Sequence, residues 1–145
     1  GARLGGASVE DADRLYDFGM HIGVAFQLKD DLLDVYGNAK VFGKNIGGDI
    51  LCNKKTYMLI KALEHANADQ HNQLNSGINA ETFQPAEKIA AVTELYDRIG
   101  VKAVCENKIL EYSNRAMESL AAVSIAEEKK EELKKIIENL IHREV

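Results

Sequence analysis

Three aspartates, Asp30, Asp31 and Asp34, sit in the otherwise apolar stretch "FQLKDDLLDVYG" at residues 26–37. At about 3.6 residues per turn, Gly19, Gly23, Phe26, Gln27, Asp30 and Asp34 share a stripe roughly 100° wide. The opposite side, with His21, Ala25, Leu28, Leu32 and Val35, is also mostly apolar, the pattern of a helix inside a bundle. Two ionised carboxylates one turn apart repel, and desolvating them is costly without a positive partner. Two arrangements relieve this: the stripe faces water in a cleft, or it faces a bound cation. Hard oxygen donors that leave room for water and phosphate suit magnesium. No histidine or cysteine stands at helical spacing beside the aspartates, which disfavours softer metals. No E-x-x-H pair occurs, so a di-iron carboxylate bundle lacks its ligands.

The glycines and lysines extend this chemistry. Gly19 and Gly23 leave volume on the aspartate face, either for a ligand with an apolar tail or for the close approach of another helix. Lys44, Lys54 and Lys55 follow, bracketing Gly47-Gly48. Lysine binds phosphate as a mobile point charge, and glycine backbone can donate N–H groups to the same oxygens. This is not a Walker loop, because Asn45 follows Gly43-Lys44 where serine or threonine is required. Aspartates, lysines and an open groove together describe one diphosphate held through a metal.

The elements that must position these groups read as helices throughout. Periodicity near 3.6 dominates, alternating strand patterns are absent, and the only proline is Pro85. Ser8 with Asp11 resembles a capping box opening a helix that runs to about Tyr36, where Gly37-Asn38 ends it. Residues 38–49, "NAKVFGKNIGGD", read as a loop. Further helices are expected over about Cys52–Ala66, Asp69–Ser76, Pro85–Ile99 and Val101–Ala122, the last two separated by Gly100. Ser124 with Glu127 would cap a final amphipathic helix through Ile141, whose "EEKKEELKK" run reads as a solvated face.

Composition sets the outer limits. The 145 residues are 46% hydrophobic and 28% charged with net charge −5, which fits one globular domain or part of a larger one. Interspersed charge of that sign argues against a nucleic-acid partner. No apolar run approaches the roughly 20 residues needed to span a bilayer, so no stable membrane insertion is expected. Cys52 and Cys105, far apart, read as reduced thiols of a cytoplasmic protein. "GARLGGAS" is not a signal peptide.

The segments "GVAFQLKDDLLDVYG", "FGKNIGGDI" and "NKKTYMLIKAL", in this order and spacing, resemble the trans-isoprenyl diphosphate synthases, a polyprenyl synthetase family of magnesium-dependent prenyltransferases. The resemblance covers essentially the whole chain but only the second half of such an enzyme. "DDLLD" matches the second of the family's two aspartate-rich motifs, and the chain has no other D-D-x-x-D. The family's lysine-threonine pair ahead of "GARLGGA" is absent too, so residues 1–145 are expected to be the C-terminal part of one isoprenoid-synthase domain.

The resemblance implies an all-α helical bundle of the isoprenoid synthase type. It implies that Asp30, Asp31 and Asp34 bind Mg2+, with Asp30, Lys44 and Lys54 catalytic. Phe26 and Gln27, together with Lys44 and Lys54, would bind substrate, and Asp49 would support the lysine loop. The implied reaction ionises an allylic diphosphate, and the double bond of isopentenyl diphosphate attacks its carbon 1 before a proton is lost. The intact parent is expected to be a cytoplasmic homodimer and the 145-residue chain alone to be inactive. Two alternatives stand beside this: a terpene cyclase of the same fold, disfavoured by the lysine loop, and a non-catalytic helical partner subunit, disfavoured by the intact Asp30/Lys44/Lys54 set. Product length in this family is set near the first aspartate motif.

Overall fold

The computed structural model describes residues 1–42 and 45–144. Among them it has helices only: α1 (Val9–Tyr36), α2 (Ala39–Phe42), α3 (Gly48–Leu51), α4 (Tyr57–His65), α5 (Ala68–Asn79), α6 (Pro85–Ile99), α7 (Val101–Ala121) and α8 (Glu127–Ile141). None of these is long and apolar enough to cross a membrane. The chain divides into two compact units, one of Gly1–Lys29 with Asn107–Arg143 and the other chiefly of Asp30–Glu106. The long helices α1 and α7 contribute to both.

In the first unit, Phe18 of α1 buries against Ala116 and Leu120 of α7 and Ile137 of α8, with Leu15, Ile22, Leu133 and Ile141 packed around them. Each such large apolar side chain taken from water contributes about 1.5–3 kcal/mol. The α1 start departs from the expected reciprocal box. Ser8 Oγ does accept from the Asp11 N–H at 3.1 Å. The Asp11 carboxylate turns instead to the α7–α8 connection, where it accepts from the Ser124 N–H at 2.9 Å. That use of Ser124 also removes the second expected box. Ala126 stands at the α8 N-cap without a side-chain bond, and Glu127 pairs with Lys130 and Lys134. Lys130, 2% exposed, also donates to the Ala121 carbonyl at 3.1 Å and ties off α7.

In the second unit, α6 packs against α3, α4 and α5. Pro85 occupies the first turn of α6, and Gly100, at φ 83°, closes it by donating to the Tyr96 carbonyl at 2.9 Å. Its apolar face buries Val92, Leu95 and Tyr96. The loop expected over 38–49 holds two single-turn helices, α2 and α3. The helix expected over Cys52–Ala66 begins only at Tyr57. Thr56 caps it there through Oγ1, which accepts from the Leu59 N–H at 3.2 Å. The expected piece around Asp69–Ser76 is the longer α5, opened by a full capping box between Asn67 and Gln70. Both caps are local side-chain signals of the ordinary kind.

Candidate functional site

The acidic end of α1 belongs to the second unit. Asp31 is buried, 6% exposed; it stands one residue off the Asp30/Asp34 stripe, in helical phase with the buried Val35 one turn on. Its Oδ1 accepts from Lys54 Nζ at 2.8 Å, and the same ammonium reaches Asp49 Oδ2 at 3.3 Å. The hydrogen bond to Asp31, with both carboxylates beside it, holds the Lys54 ammonium well above the usual lysine value. Lys54 therefore carries a fixed positive charge at the acidic end of α1.

Asp34 is half-buried and clamps the loop that follows. Its backbone carbonyl accepts from the Gly47 N–H at 2.6 Å, and its Oδ2 accepts from the Asp49 N–H at 2.9 Å. Burial pushes the Asp34 carboxyl above its ordinary 3.8, against the Asp49 N–H bond, while the charge of Lys54 acts to lower it. Gly47 is required by geometry. Its φ is +89°, and a Cβ there would lie 2.7 Å from Ile89 on α6. The glycine pair thus brings α3 onto α6 and sets Asp49 between Asp34 and Lys54.

The position of Lys54 follows from how α3 ends. The Asn53 N–H donates to the Ile50 carbonyl at 3.2 Å and the Lys54 N–H to the Asp49 carbonyl at 3.0 Å, with Asn53 at φ 52°. This is the paired closure that puts a left-handed residue just past the helix, usually glycine and sometimes asparagine. Asn53 is held there by its side chain. Nδ2 donates to the Ile78 carbonyl at 2.9 Å, and Oδ1 accepts from Lys88 Nζ at 2.7 Å. Lys88 is buried in α6, with its ammonium 4.3 Å from the Phe83 ring centroid. Asp49, Asn53, Lys54, Lys88 and Tyr96 line a cavity of about 20 Å³, room for one water. Burial, with the charge of Asp49 added, pushes the Tyr96 hydroxyl up to about 12.

Of the residues named from the sequence, the structure brings together Asp31, Asp34, Asp49 and Lys54, with Asp30 one turn before Asp34. Lys44 lies outside the described residues. Lys55 is exposed and Phe26 is half exposed, the latter with the Arg143 guanidinium 4.3 Å from its ring. Gln27 is exposed. Among the described residues nothing lies within 4 Å of a Cβ built at Gly19 or Gly23, so these glycines leave open space rather than seat a helix of this chain. Sequence reasoning missed Asn53 and Lys88. Their signals were an asparagine ahead of Lys54, the non-glycine type most tolerant of a left-handed turn, and a lysine in helical phase with Val92 and Leu95.

The site is compatible with magnesium in its donor chemistry. Asp30 and Asp34 present oxygen donors on one face, one turn apart. Asp31, expected in the same acidic cluster, accepts from Lys54 through Oδ1. Among the described residues no three of histidine, cysteine, aspartate or glutamate gather closely enough to enclose a metal. A cation here would complete its shell with water and the oxygens of its ligand, the habit of magnesium rather than calcium or zinc.

The family model described as Polyprenyl synthetase matches residues 1–96. The short chain isoprenyl diphosphate synthase of Methanothermobacter thermautotrophicus is 32% identical over 144 residues, covering 99% of this chain and 43% of that one. The geranylgeranyl diphosphate synthase of Methanosarcina mazei is 34% identical over 133 residues, covering 92% of this chain and 35% of that one. Among solved structures, a geranylgeranyl pyrophosphate synthase superposes with a TM-score of 0.89 at 32% identity, covering 99% of this chain and 45% of that one. The Corynebacterium glutamicum geranylgeranyl pyrophosphate synthase, complexed with isoprenyl diphosphate and magnesium, gives 0.86 at 32% identity, covering 99% and 40%. The chain therefore spans less than half the length of the relatives it matches.

Proposed function

We propose, from the premise that this chain belongs to the polyprenyl synthetase family, that it is the diphosphate-holding part of a magnesium-dependent trans-prenyltransferase. The parent enzyme would condense an allylic diphosphate with isopentenyl diphosphate to give a longer trans-prenyl diphosphate and free diphosphate. The observation that carries this reading is the Lys54 ammonium, fixed by Asp31 and Asp49 next to the half-buried Asp34.

Each group has a stated task. Lys54 places a positive charge where an anionic leaving group develops charge, which is worth most when the charge is already oriented. Asp31 and Asp49 orient it. Asp30 and Asp34, with Asp31 in the same acidic cluster, would hold magnesium, which when bound supplies Lewis-acid neutralisation of the diphosphate oxygens. Lys44 is proposed as a second diphosphate contact, and Phe26 and Gln27 as substrate-binding residues, on the motif they belong to. Ionisation followed by attack of the second substrate's double bond needs no side-chain nucleophile. In the intact parent we place this chemistry in a cytoplasmic homodimer.

Titration of the parent protein with pyrophosphate, with and without magnesium, tests the reading. Binding should require magnesium and weaken in Asp30→Asn and Lys54→Met. Binding that ignores both magnesium and Lys54 would sink it and favour a non-catalytic subunit. The 145-residue chain alone should give no turnover with magnesium, geranyl diphosphate and isopentenyl diphosphate.

A further inference from the structure

Lys88 is a buried ammonium that the proposed chemistry does not use. It lies on α6, far in sequence from the aspartate and lysine motifs, and is 6% exposed. Among the described residues its polar partner is the neutral Asn53 Oδ1 at 2.7 Å, supplemented by the face of Phe83. A buried cation held by an amide and a ring, with no carboxylate within ion-pair distance among the described residues, is an expensive way to fill space. Methionine would fill the same volume at lower cost.

What Lys88 touches explains its presence. Asn53 adopts φ 52°, a conformation for which glycine is the usual choice. A glycine would make the turn but could not be gripped from the side. Asn53 is gripped at both ends of its amide, by Lys88 at Oδ1 and by the Ile78 carbonyl at Nδ2. Lys54 is the next residue. Its Nζ meets Asp31 and Asp49 only while the turn keeps this shape, because its N–H closes the same turn on the Asp49 carbonyl.

We infer that Lys88 is a positioning residue for Lys54, acting through Asn53. This clamp from α6 fixes the direction in which Lys54 presents its charge to an anionic diphosphate. The inference rests on the proposed role of Lys54 for its consequence, but not for its geometry. The two can therefore fail separately.

The test is a lysine-ammonium 1H–15N spectrum of the 145-residue chain, with Lys54→Met used to assign the Lys54 signal. The wild-type chain should show a discrete Lys54 resonance, since its ammonium is held on carboxylates. Lys88→Met should broaden or shift it towards the averaged lysine signals while helix content by circular dichroism is retained. Asn53→Gly cuts the same link at a position where glycine suits the backbone, and should do the same if Lys88→Met fails to fold. Asn53→Asp keeps an oxygen for Lys88 and should restore most of the signal. Affinity for magnesium pyrophosphate should fall about tenfold in Lys88→Met, the usual scale for loss of an orienting partner, with no further loss when combined with Lys54→Met. A Lys54 resonance that is averaged in the wild type, or unmoved by both substitutions, overturns the inference. If Lys54→Met itself leaves pyrophosphate binding unchanged, the functional reading falls, and the ammonium spectrum still decides the role of Lys88.

Discussion

Removing either member of the Lys54–Asp31 pair should not be equivalent, and the difference follows from where each charge sits. The Nζ–Oδ1 separation of 2.8 Å corresponds to about 1.5 kcal/mol in water and about 6 kcal/mol at an effective dielectric near 20. The Lys54 side chain is 44% exposed and that of Asp31 only 8%. Solvent around Lys54 pulls the interaction towards the lower figure, and ordering a lysine side chain offsets much of what remains. A net coupling of about 1 kcal/mol is therefore expected. The single substitutions differ because of what each leaves behind. Asp31→Asn leaves an ammonium that can turn into water or stay on Asp49, at a cost under about 1 kcal/mol. Lys54→Met takes a cation away from a carboxylate inside the unit and leaves that carboxylate less compensated. Such truncations reach about 3–5 kcal/mol when both partners are buried, and with one partner exposed about 2–3 kcal/mol is expected. Urea denaturation of the wild type, both single variants and the double variant at pH 7 measures all four stabilities. Lys54→Met should be less stable than Asp31→Asn by at least about 1 kcal/mol, or roughly 2–4 °C in Tm for a chain of this size. The double variant should recover part of the loss. Equal costs, or a larger cost for Asp31→Asn, would refute the claim that the buried carboxylate exists to hold an exposed cation.

Two other outcomes follow from the same region. Burial raises the Asp34 carboxyl above 3.8, so its favourable contribution is fully present below that pH and is lost as the pH rises through the folded value. At neutral pH the ionised group works against folding, and Asp34→Asn should raise Tm at pH 7, with relief of the Asp30 repulsion alone worth about 0.2–0.5 kcal/mol. The gain should vanish at pH 3.5 in thermal scans; a lower Tm at pH 7 would contradict the argument. Gly47→Ala combines φ +89° with a Cβ 2.7 Å from Ile89, and should destabilise by about 2–4 kcal/mol in the same denaturation assay. Adding Ile89→Ala should relieve the contact but not the backbone strain, and so return only part of the loss.

The sequence by itself determined the helical class, the span of α1, the Pro85 start and Gly100 stop of α6, and the family. These depend on local periodicity, caps and motif order, which a chain carries wherever it folds. It also marked Lys54 and the aspartates as chemistry-bearing, since charged groups at fixed spacing in an apolar helix need an explanation. Caps were legible but not certain. Ser124 and Glu127 have the right spacing for a box, yet Asp11, more than a hundred residues away, takes the Ser124 N–H. Only the tertiary structure decided which aspartate faces which partner. A helical wheel separates Asp31 from Asp30 and Asp34 by direction, but it cannot say that the buried direction ends on Lys54. Nor can it join Lys88 to Asn53 across 35 positions. Hydrogen bonds of that range depend on how α3 and α6 pack, and packing is a property of the folded unit rather than of any segment within it.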